Sequence, residues 1–385
     1  AMGLGTKVVC LGDLDNDGSG DIAIGVSSQS FFHIIFGSDT YFGEFDLINL
    51  GGGGWYNVVT FEGGSTLLYD VVGLGDTTGD SNPDVAFSVY DSLGGESFVV
   101  VYFNQDLITG VLGSDVDPSV VTATNAYKIT FNGQGNRPMS VASAGHFNGD
   151  SKADIVVGNL LGGDKAAVVF GPNTVNDIEL TDIGLTFSQR VFIVGATTDN
   201  MGQSVAFARD IEGDGVPEII IGAPGYDSNN GAAFIISGAN TFTANIDVTN
   251  SPTTGGYIIQ HSTVTGKQLG STVYGALNFD MFGTESPVVV CDLSTDPSGS
   301  CYVVFQATGG TGETDVDTME SEDGFAIQLS TSPYPSNLKF TNVGDVNSDG
   351  YGDFAVGAPD MGGGDGTVYI VYGPNYCDSP CKTCS

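Results

Sequence analysis

Acidic and amide side chains recur at alternate positions of short loops along this chain. Five such loops begin at residues 13, 76, 146, 210 and 345, and they are numbered 1, 2, 3, 4 and 6 after the repeated unit that contains them. Most of them carry acidic or amide side chains at loop positions 1, 3, 5 and 9. Ca²⁺ takes about six to eight oxygen ligands, and alternate residues of a tight loop can direct several oxygens inward. The spacing therefore predicts calcium sites. Carboxylates that hold calcium cannot also serve as a catalytic acid and base, so no catalytic role is expected for them.

Four of these loops carry a full set of oxygen donors, and we expect about four calcium ions. The predicted ligands are Asp13, Asp15, Asp17, the Ser19 carbonyl and Asp21 in loop 1; Asp76, the Thr78 hydroxyl, Asp80, the Asn82 carbonyl and Asp84 in loop 2; Asp210, Glu212, Asp214, the Val216 carbonyl and Glu218 in loop 4; and Asp345, Asn347, Asp349, the Tyr351 carbonyl and Asp353 in loop 6.

Loop 3 is predicted to be weak or empty. It offers Asn148, Asp150 and Asp154, but position 1 is His146, a poor partner for a hard cation. A degenerate loop 5 has Ala276 at position 1, and we expect no calcium there.

The alternative for any single loop is that Asp and Gly are simply good turn formers. The loops start at intervals of 63 to 70 residues, and five of them carry the acid at position 9, which favours metal in at least some of them. Apolar strand-like segments such as IAIG follow position 9, whereas an EF-hand loop is flanked by helices. The sites are therefore expected inside β-hairpins.

Each repeated unit contains four strand candidates, which in the fourth unit are residues 202–208, 218–223, 232–238 and 255–261. No segment keeps a 3.6-residue apolar period, so almost no helix is expected. The pattern predicts an all-β fold, a β-propeller of about six four-stranded antiparallel blades with the first strand of each blade innermost. Seven blades are the alternative, and an open solenoid is the rival architecture.

The units resemble FG-GAP repeats, the blades of the integrin α-subunit propeller. The resemblance is carried by the Asp loops, by Gly222-Ala223-Pro224 and Gly357-Ala358-Pro359, and by the turns Met201-Gly202 and Leu269-Gly270. It implies calcium in the loops and ligand binding on the opposite face of the propeller. It covers residues 3 to about 373, so we expect a propeller over 1–374 and the start of a Cys-rich tail over 375–385. Integrin propellers have seven blades, whereas six units are present here, and the last lacks an obvious fourth strand.

The charge balance excludes some partners. The chain has 46 acidic and 10 basic residues, a formal charge of −36. Phosphate-rich nucleic acids and anionic membrane surfaces are therefore not expected as partners. No stretch of 18 apolar residues is present, so membrane insertion of this segment is not expected either. A generally acidic, solvated surface is the alternative to specific cation binding.

Six cysteines indicate an oxidising compartment, either extracellular or at the cell surface. Cys291 and Cys301 flank a turn between two strand candidates and are predicted to form a disulfide, with two free core thiols as the alternative. The pairing of the other four is left open; they are Cys10, Cys377, Cys381 and Cys384.

These features favour a non-enzymatic recognition module that binds a protein or glycan on a cell surface or in the matrix. The three histidines form no catalytic or metal motif. One alternative is a lectin, whose candidate aromatic platforms are Trp55, Tyr90, Tyr226 and Tyr334. A less favoured alternative is an accessory domain of a secreted hydrolase.

Overall fold

The computed structural model describes residues 4–26, 31–37, 58–62, 66–91, 93–103, 115–116, 125–135, 137–172, 176–249, 256–275, 287–292, 300–305, 312–321, 323–328, 338–358 and 367–373. Loop 5 at 276–286, the predicted tail at 375–385, and the candidate residues Trp55 and Tyr334 lie outside these ranges.

The described strands form six sheets, one for each repeated unit. Their bounds are, in blade 1, β1 Leu4–Gly12, β2 Asp21–Val26, β3 Phe31–Ile35 and β4 Val58–Glu62; in blade 2, β5 Thr66–Gly75, β6 Asp84–Asp91, β7 Glu96–Tyr102 and β9 Ala126–Thr130; in blade 3, β10 Ser140–Gly145, β11 Asp154–Gly158, β12 Lys165–Val169 and β14 Arg190–Val194; in blade 4, β15 Val205–Arg209, β16 Glu218–Ala223, β17 Ala232–Ser237 and β19 Gly256–Gln260; in blade 5, β20 Leu269–Tyr274, β21 Val288–Asp292, β22 Ser300–Val304 and β24 Gly324–Gln328; and in blade 6, β25 Lys339–Gly344, β26 Asp353–Ala358 and β27 Thr367–Val371.

Four short strands remain, and sequence patterning did not anticipate them. They are β8 Asp115–Val116, β13 Ile178–Glu179, β18 Ile246–Asp247 and β23 Glu313–Asp315. Each lies in the connection between the third and fourth strands of one blade and pairs in parallel with the fourth strand of the preceding blade. Because they have only two or three residues, no periodicity marks them, yet each joins two blades through backbone hydrogen bonds.

The six first strands surround one central cavity. Residues of β1, β5, β10, β15, β20 and β25 all line it, so the first strand of each blade is innermost and the ring has six blades. The all-β propeller predicted from the sequence is confirmed, as is the near absence of helix. The described helix is a single turn at Tyr226–Asn229.

The apolar core lies between the blades. Among the described residues, buried side chains form five clusters, each shared by two consecutive blades from blades 1 and 2 to blades 5 and 6. Second strands that lie between two blades are covered on both faces, and all six residues of β16, EIIIGA, are buried. A strand with a blade on each side has no solvent-facing side, which explains its continuous apolar sequence.

In blade 5, Cys291 and Cys301 are directly opposite on β21 and β22. The two residues are joined by a disulfide, and both are buried. In blade 6, the described strands number three, with β27 at the outer edge of the sheet.

Candidate metal centre

The acidic loops connect the first and second strands of their blades, and all lie on one face of the propeller. A β-bulge immediately precedes loops 1, 2, 3, 4 and 6. The residue before position 1 is left-handed where its angle is given, as in Gly12 at φ 84° and Gly75 at φ 85°. This conformation explains why Gly precedes the loop acid in the repeat. In blade 4 the residue at this place is Arg209 rather than Gly, and it adopts the same left-handed conformation, with φ 57°.

The acid at position 1 closes the loop through backbone hydrogen bonds. In loop 4, Asp210 Oδ1 accepts from Gly213 N at 2.7 Å and Asp214 N at 3.1 Å, and its Oδ2 accepts from Gly215 N at 2.8 Å. Asp13, Asp76 and Asp345 accept corresponding bonds in loops 1, 2 and 6. These bonds hold the position-1 carboxylate in the interior of the loop.

Two loops bring three carboxylates together in the part of the chain that the structure describes. In loop 1, one oxygen each from Asp13, Asp15 and Asp21 lies within 4.8 Å of the others. In loop 4 the same is true of Asp210, Asp214 and Glu218. Such a group of hard oxygen donors is suited to Ca²⁺, and it is mutually repulsive without a cation.

The environment of Glu218 is the strongest indication that loop 4 binds a cation. Its side chain is fully buried, and its Oε1 has no hydrogen-bond partner. The other oxygen, Oε2, accepts from Ile211 N. Burial raises the pKa of Glu218 to about 8, with a further contribution from the Glu212 charge. A divalent cation in loop 4 would satisfy the unpartnered oxygen, so the residues present fit a metal.

Some predicted ligands lie outside these clusters. Glu212 instead accepts a hydrogen bond from Ser237 Oγ at 2.7 Å, and Asp17 Oδ1 accepts from Ser19 N at 2.7 Å. In loop 6, Asn347 donates through Nδ2 to Asp349 Oδ2 at 2.9 Å. Within the described residues, loops 2 and 6 show no comparable three-carboxylate group. The carbonyl and hydroxyl ligands assigned to Ser19, Thr78, Asn82, Val216 and Tyr351 stay predictions.

Loop 3 is closed in a different way. The ring Nδ1 of His146 lies 2.8 Å from the Lys152 carbonyl oxygen. Asp150 Oδ2 accepts from Asn148 Nδ2 at 2.8 Å, and its Oδ1 accepts from Lys152 N at 2.8 Å. The potential ligands of loop 3 are thus engaged with one another.

The acid at position 9 has a structural role that sequence analysis missed. Both oxygens of Asp21 accept backbone N–H groups, from Leu14 and from Gly37, each at 2.6 Å. Asp154 and Asp353 make the same double connection, in which the second donor is a Gly just after the third strand. A Gly recurs at this place in the sequence, as Gly37, Gly171, Gly238 and Gly373. That recurrence was the available signal.

Three basic residues lie on the propeller face opposite the acidic loops, and one of them, Lys267, is buried. Arg137 donates to Asn159 Oδ1 at 2.6 Å, and Lys165 pairs with Asp164 at 3.1 Å. Tyr226, a candidate sugar platform, packs edge-on against Phe234 with ring centroids 5.4 Å apart.

Besides the loop clusters, an acidic cluster surrounds His261 on the propeller face opposite the loops. Its Nδ1 lies 2.7 Å from Asp317 Oδ1, and its Nε2 lies 3.7 Å from Asp292 Oδ2. Burial disfavours the imidazolium, but the nearby carboxylate of Asp292 and the hydrogen-bonded carboxylate of Asp317 outweigh it and raise the pKa of His261. Burial likewise opposes ionisation of Asp317, but hydrogen bonds from Thr263 and His261 lower its pKa to about 2. The two carboxylates therefore favour the protonated form of His261.

The fold and these loops define a six-bladed β-propeller with acidic hairpin loops on one face. Comparison with known proteins identifies the type of repeat that forms the blades. The FG-GAP repeat family model matches residues 201–236 and 341–371, so the chain carries FG-GAP repeats.

Integrin alpha-PS2 of Drosophila melanogaster is 36% identical to this chain over 122 residues. That stretch covers 29% of this chain and 8% of the integrin. Among solved structures, the Dos1 propeller aligns over 85% of this chain and 66% of its own, with 10% identity and a TM-score of 0.36. The match to FG-GAP repeats and the similarity to this integrin confirm the resemblance noted from the sequence. In the described residues, no helix is long and apolar enough to cross a membrane.

Proposed function

We propose that this chain is a calcium-stabilised, extracellular recognition module that binds a protein partner on the propeller face opposite the acidic loops. The observation that carries the calcium part is the loop 4 cluster, where a buried carboxylate oxygen of Glu218 has no partner. The predicted ligands would enclose each ion within its own hairpin. The role of the metal is therefore structural rather than catalytic.

The recognition part is supported by the FG-GAP repeats and by the similarity to an integrin α subunit. Antiparallel blades put the connections after the second and fourth strands on the face opposite the acidic loops. Function is often placed on such loops above a rigid scaffold. The disulfide between Cys291 and Cys301 supports an oxidising, extracellular location.

Calcium removal tests the first part. With free calcium at about 100 times the dissociation constant, each independent site contributes roughly 2.7 kcal/mol of stability. For several sites, a chelator should lower the melting temperature by on the order of 10 °C, and added calcium should restore it. An unchanged melting curve would contradict the calcium assignment.

Binding to immobilised extracellular matrix proteins and to a glycan array tests the second part. We expect saturable binding to an immobilised matrix protein. The double variant Arg137→Ala/Lys165→Ala should weaken this binding. The control variant Lys128→Ala/Arg190→Ala, altered on fourth strands away from the proposed face, should bind normally. Binding to glycans alone would favour the lectin alternative, and equal binding by both variants would place the site elsewhere.

A further inference from the structure

The cavity on the propeller axis has an unusual charge. Its volume is about 450 Å³, and it is lined by the first strands of all six blades. The charged side chains among its described lining residues are Lys7, Asp70 and Lys339. Two cations and one anion give the lining a positive formal charge.

The three groups are not fully paired. Lys7 Nζ forms an ion pair with Asp70 Oδ1, which also accepts from Val71 N at 2.7 Å. Within the described residues, no carboxylate lies within ion-pair distance of Lys339. The Asp70 carboxylate is thus committed to Lys7, and Lys339 is the uncompensated charge of the cavity.

This arrangement runs against the composition of the chain. The protein has a formal charge of −36 and ten basic residues, yet two of the ten line the same cavity. Burial and the neighbouring Lys339 charge lower the pKa of Lys7 to about 7, whereas Lys339 is exposed. An anion close to both ammonium groups would offset their mutual repulsion.

The cavity wall also determines how a ligand would be held. Strands β1, β5, β10, β15, β20 and β25 are edge strands of their sheets, so the backbone groups on their axial side are not used in sheet pairing and can contact a ligand together with side chains. The lysines supply charge, and Thr272 and Thr341 are also among the lining residues. Lysine is a common point-charge partner of phosphate-like oxyanions.

We propose that the axial cavity is an anion site, which binds a small dianion with phosphate-, sulfate- or carboxylate-type oxygens between Lys7 and Lys339. The volume is in the range of small-ligand pockets, so a compact organic dianion also fits. The site is separate from the acidic loops, which lie on one face of the propeller. Its existence does not depend on the proposed recognition function.

Equilibrium dialysis with radiolabelled sulfate tests this proposal. Sulfate is the probe because, unlike phosphate, it does not readily remove calcium, and chloride at equal ionic strength controls for general charge effects. We expect one saturable sulfate per chain. The change Lys339→Met should weaken binding about tenfold or more, whereas Lys339→Arg should retain most of it.

Two further variants sharpen the result. Asp70→Asn removes the competing negative charge and should tighten sulfate binding. Lys128→Met, on β9 outside the cavity, should leave it unchanged, and melting curves without sulfate verify that each variant is folded. The proposal is overturned if the wild-type protein shows no saturable sulfate binding, or if folded Lys339→Met binds sulfate as the wild type does.

Discussion

Loop 3 and loop 4 occupy equivalent hairpins in neighbouring blades, yet they neutralise their polar groups differently. In loop 4, Asp210 receives three backbone N–H groups and lies in a cluster with Asp214 and Glu218. In loop 3, His146 replaces the capping acid and contacts the Lys152 carbonyl, and Asp150 bonds to Asn148 and to the Lys152 backbone.

The position-9 acids show the same contrast. Asp154 in loop 3 has both oxygens bonded, to Asn148 N at 3.0 Å and to Gly171 N at 2.9 Å. Glu218 in loop 4 has one oxygen without a partner. The two hairpins therefore differ in how the buried position-9 acid is partnered. In loop 3 two backbone N–H groups partner both of its oxygens, whereas in loop 4 one oxygen is left for the proposed cation.

Substitution of the position-9 acids should give the largest difference in stability between loop 4 and loop 3. In excess chelator, Glu218→Gln should stabilise the protein by about 1–3 kcal/mol near neutral pH, because the wild-type protein must then either protonate Glu218 on folding or bury its unpaired charge. In saturating calcium the same change should cost roughly 2–3 kcal/mol, because a ligand is lost. The matched change Asp154→Asn should cost about 1–3 kcal/mol in both conditions, since one N–H group loses its acceptor.

Urea unfolding with and without calcium measures these values. The pH dependence provides a control, because the folded pKa of Glu218 is raised from 4.5 to about 8. Metal-free wild-type protein should lose stability as the pH rises through that window, and Glu218→Gln should flatten the loss. A change of the same sign in calcium and in chelator would refute the assignment of loop 4.

Converting loop 3 into a metal loop should give a somewhat smaller effect. His146→Asp restores the capping acid, and Lys152→Val removes a cation at the position that Val216 occupies in loop 4. The double variant should gain one calcium and up to roughly 2.7 kcal/mol of stability at calcium concentrations about 100 times the dissociation constant. Calorimetric titration counts the ions, and an unchanged count would mean that other features of loop 3 exclude calcium.

The His261 cluster should give the smallest effect. Because the folded pKa of His261 is raised above 6.5, its contribution is complete below that pH and is lost as the pH rises through the folded value. Calcium should not alter this dependence. His261→Gln should remove it, as followed by thermal melts between about pH 5 and 9. A melting profile that keeps its pH dependence in the variant would exclude His261 as its source.

Much of the fold was predictable because it repeats. The Asp loops at 63- to 70-residue intervals identified six units, and the apolar β16 gave the second strand of blade 4 at its observed bounds of 218–223. The paired residues Cys291 and Cys301 were detectable because they flank a turn between two apolar runs.

Other features were not accessible in this way. The parallel strands β8, β13, β18 and β23 are too short for any periodicity, and they depend on the approach of the next blade. The acid at position 9 was identified as a ligand, but its bonds to distant Gly37, Gly171 and Gly373 depend on where the third strand ends. The cavity charges Lys7 and Lys339 lie more than 300 residues apart in the chain and meet only when the ring closes.

Counting calcium ions in paired variants is the most direct test of the difference between the two loops. Asp210→Asn alters loop 4 and Asp150→Asn alters loop 3, and isothermal titration calorimetry gives the number of ions bound by each folded protein. We predict that Asp210→Asn loses one calcium relative to the wild type and that Asp150→Asn loses none. Loss of an ion from Asp150→Asn with the full number retained in Asp210→Asn would contradict the account.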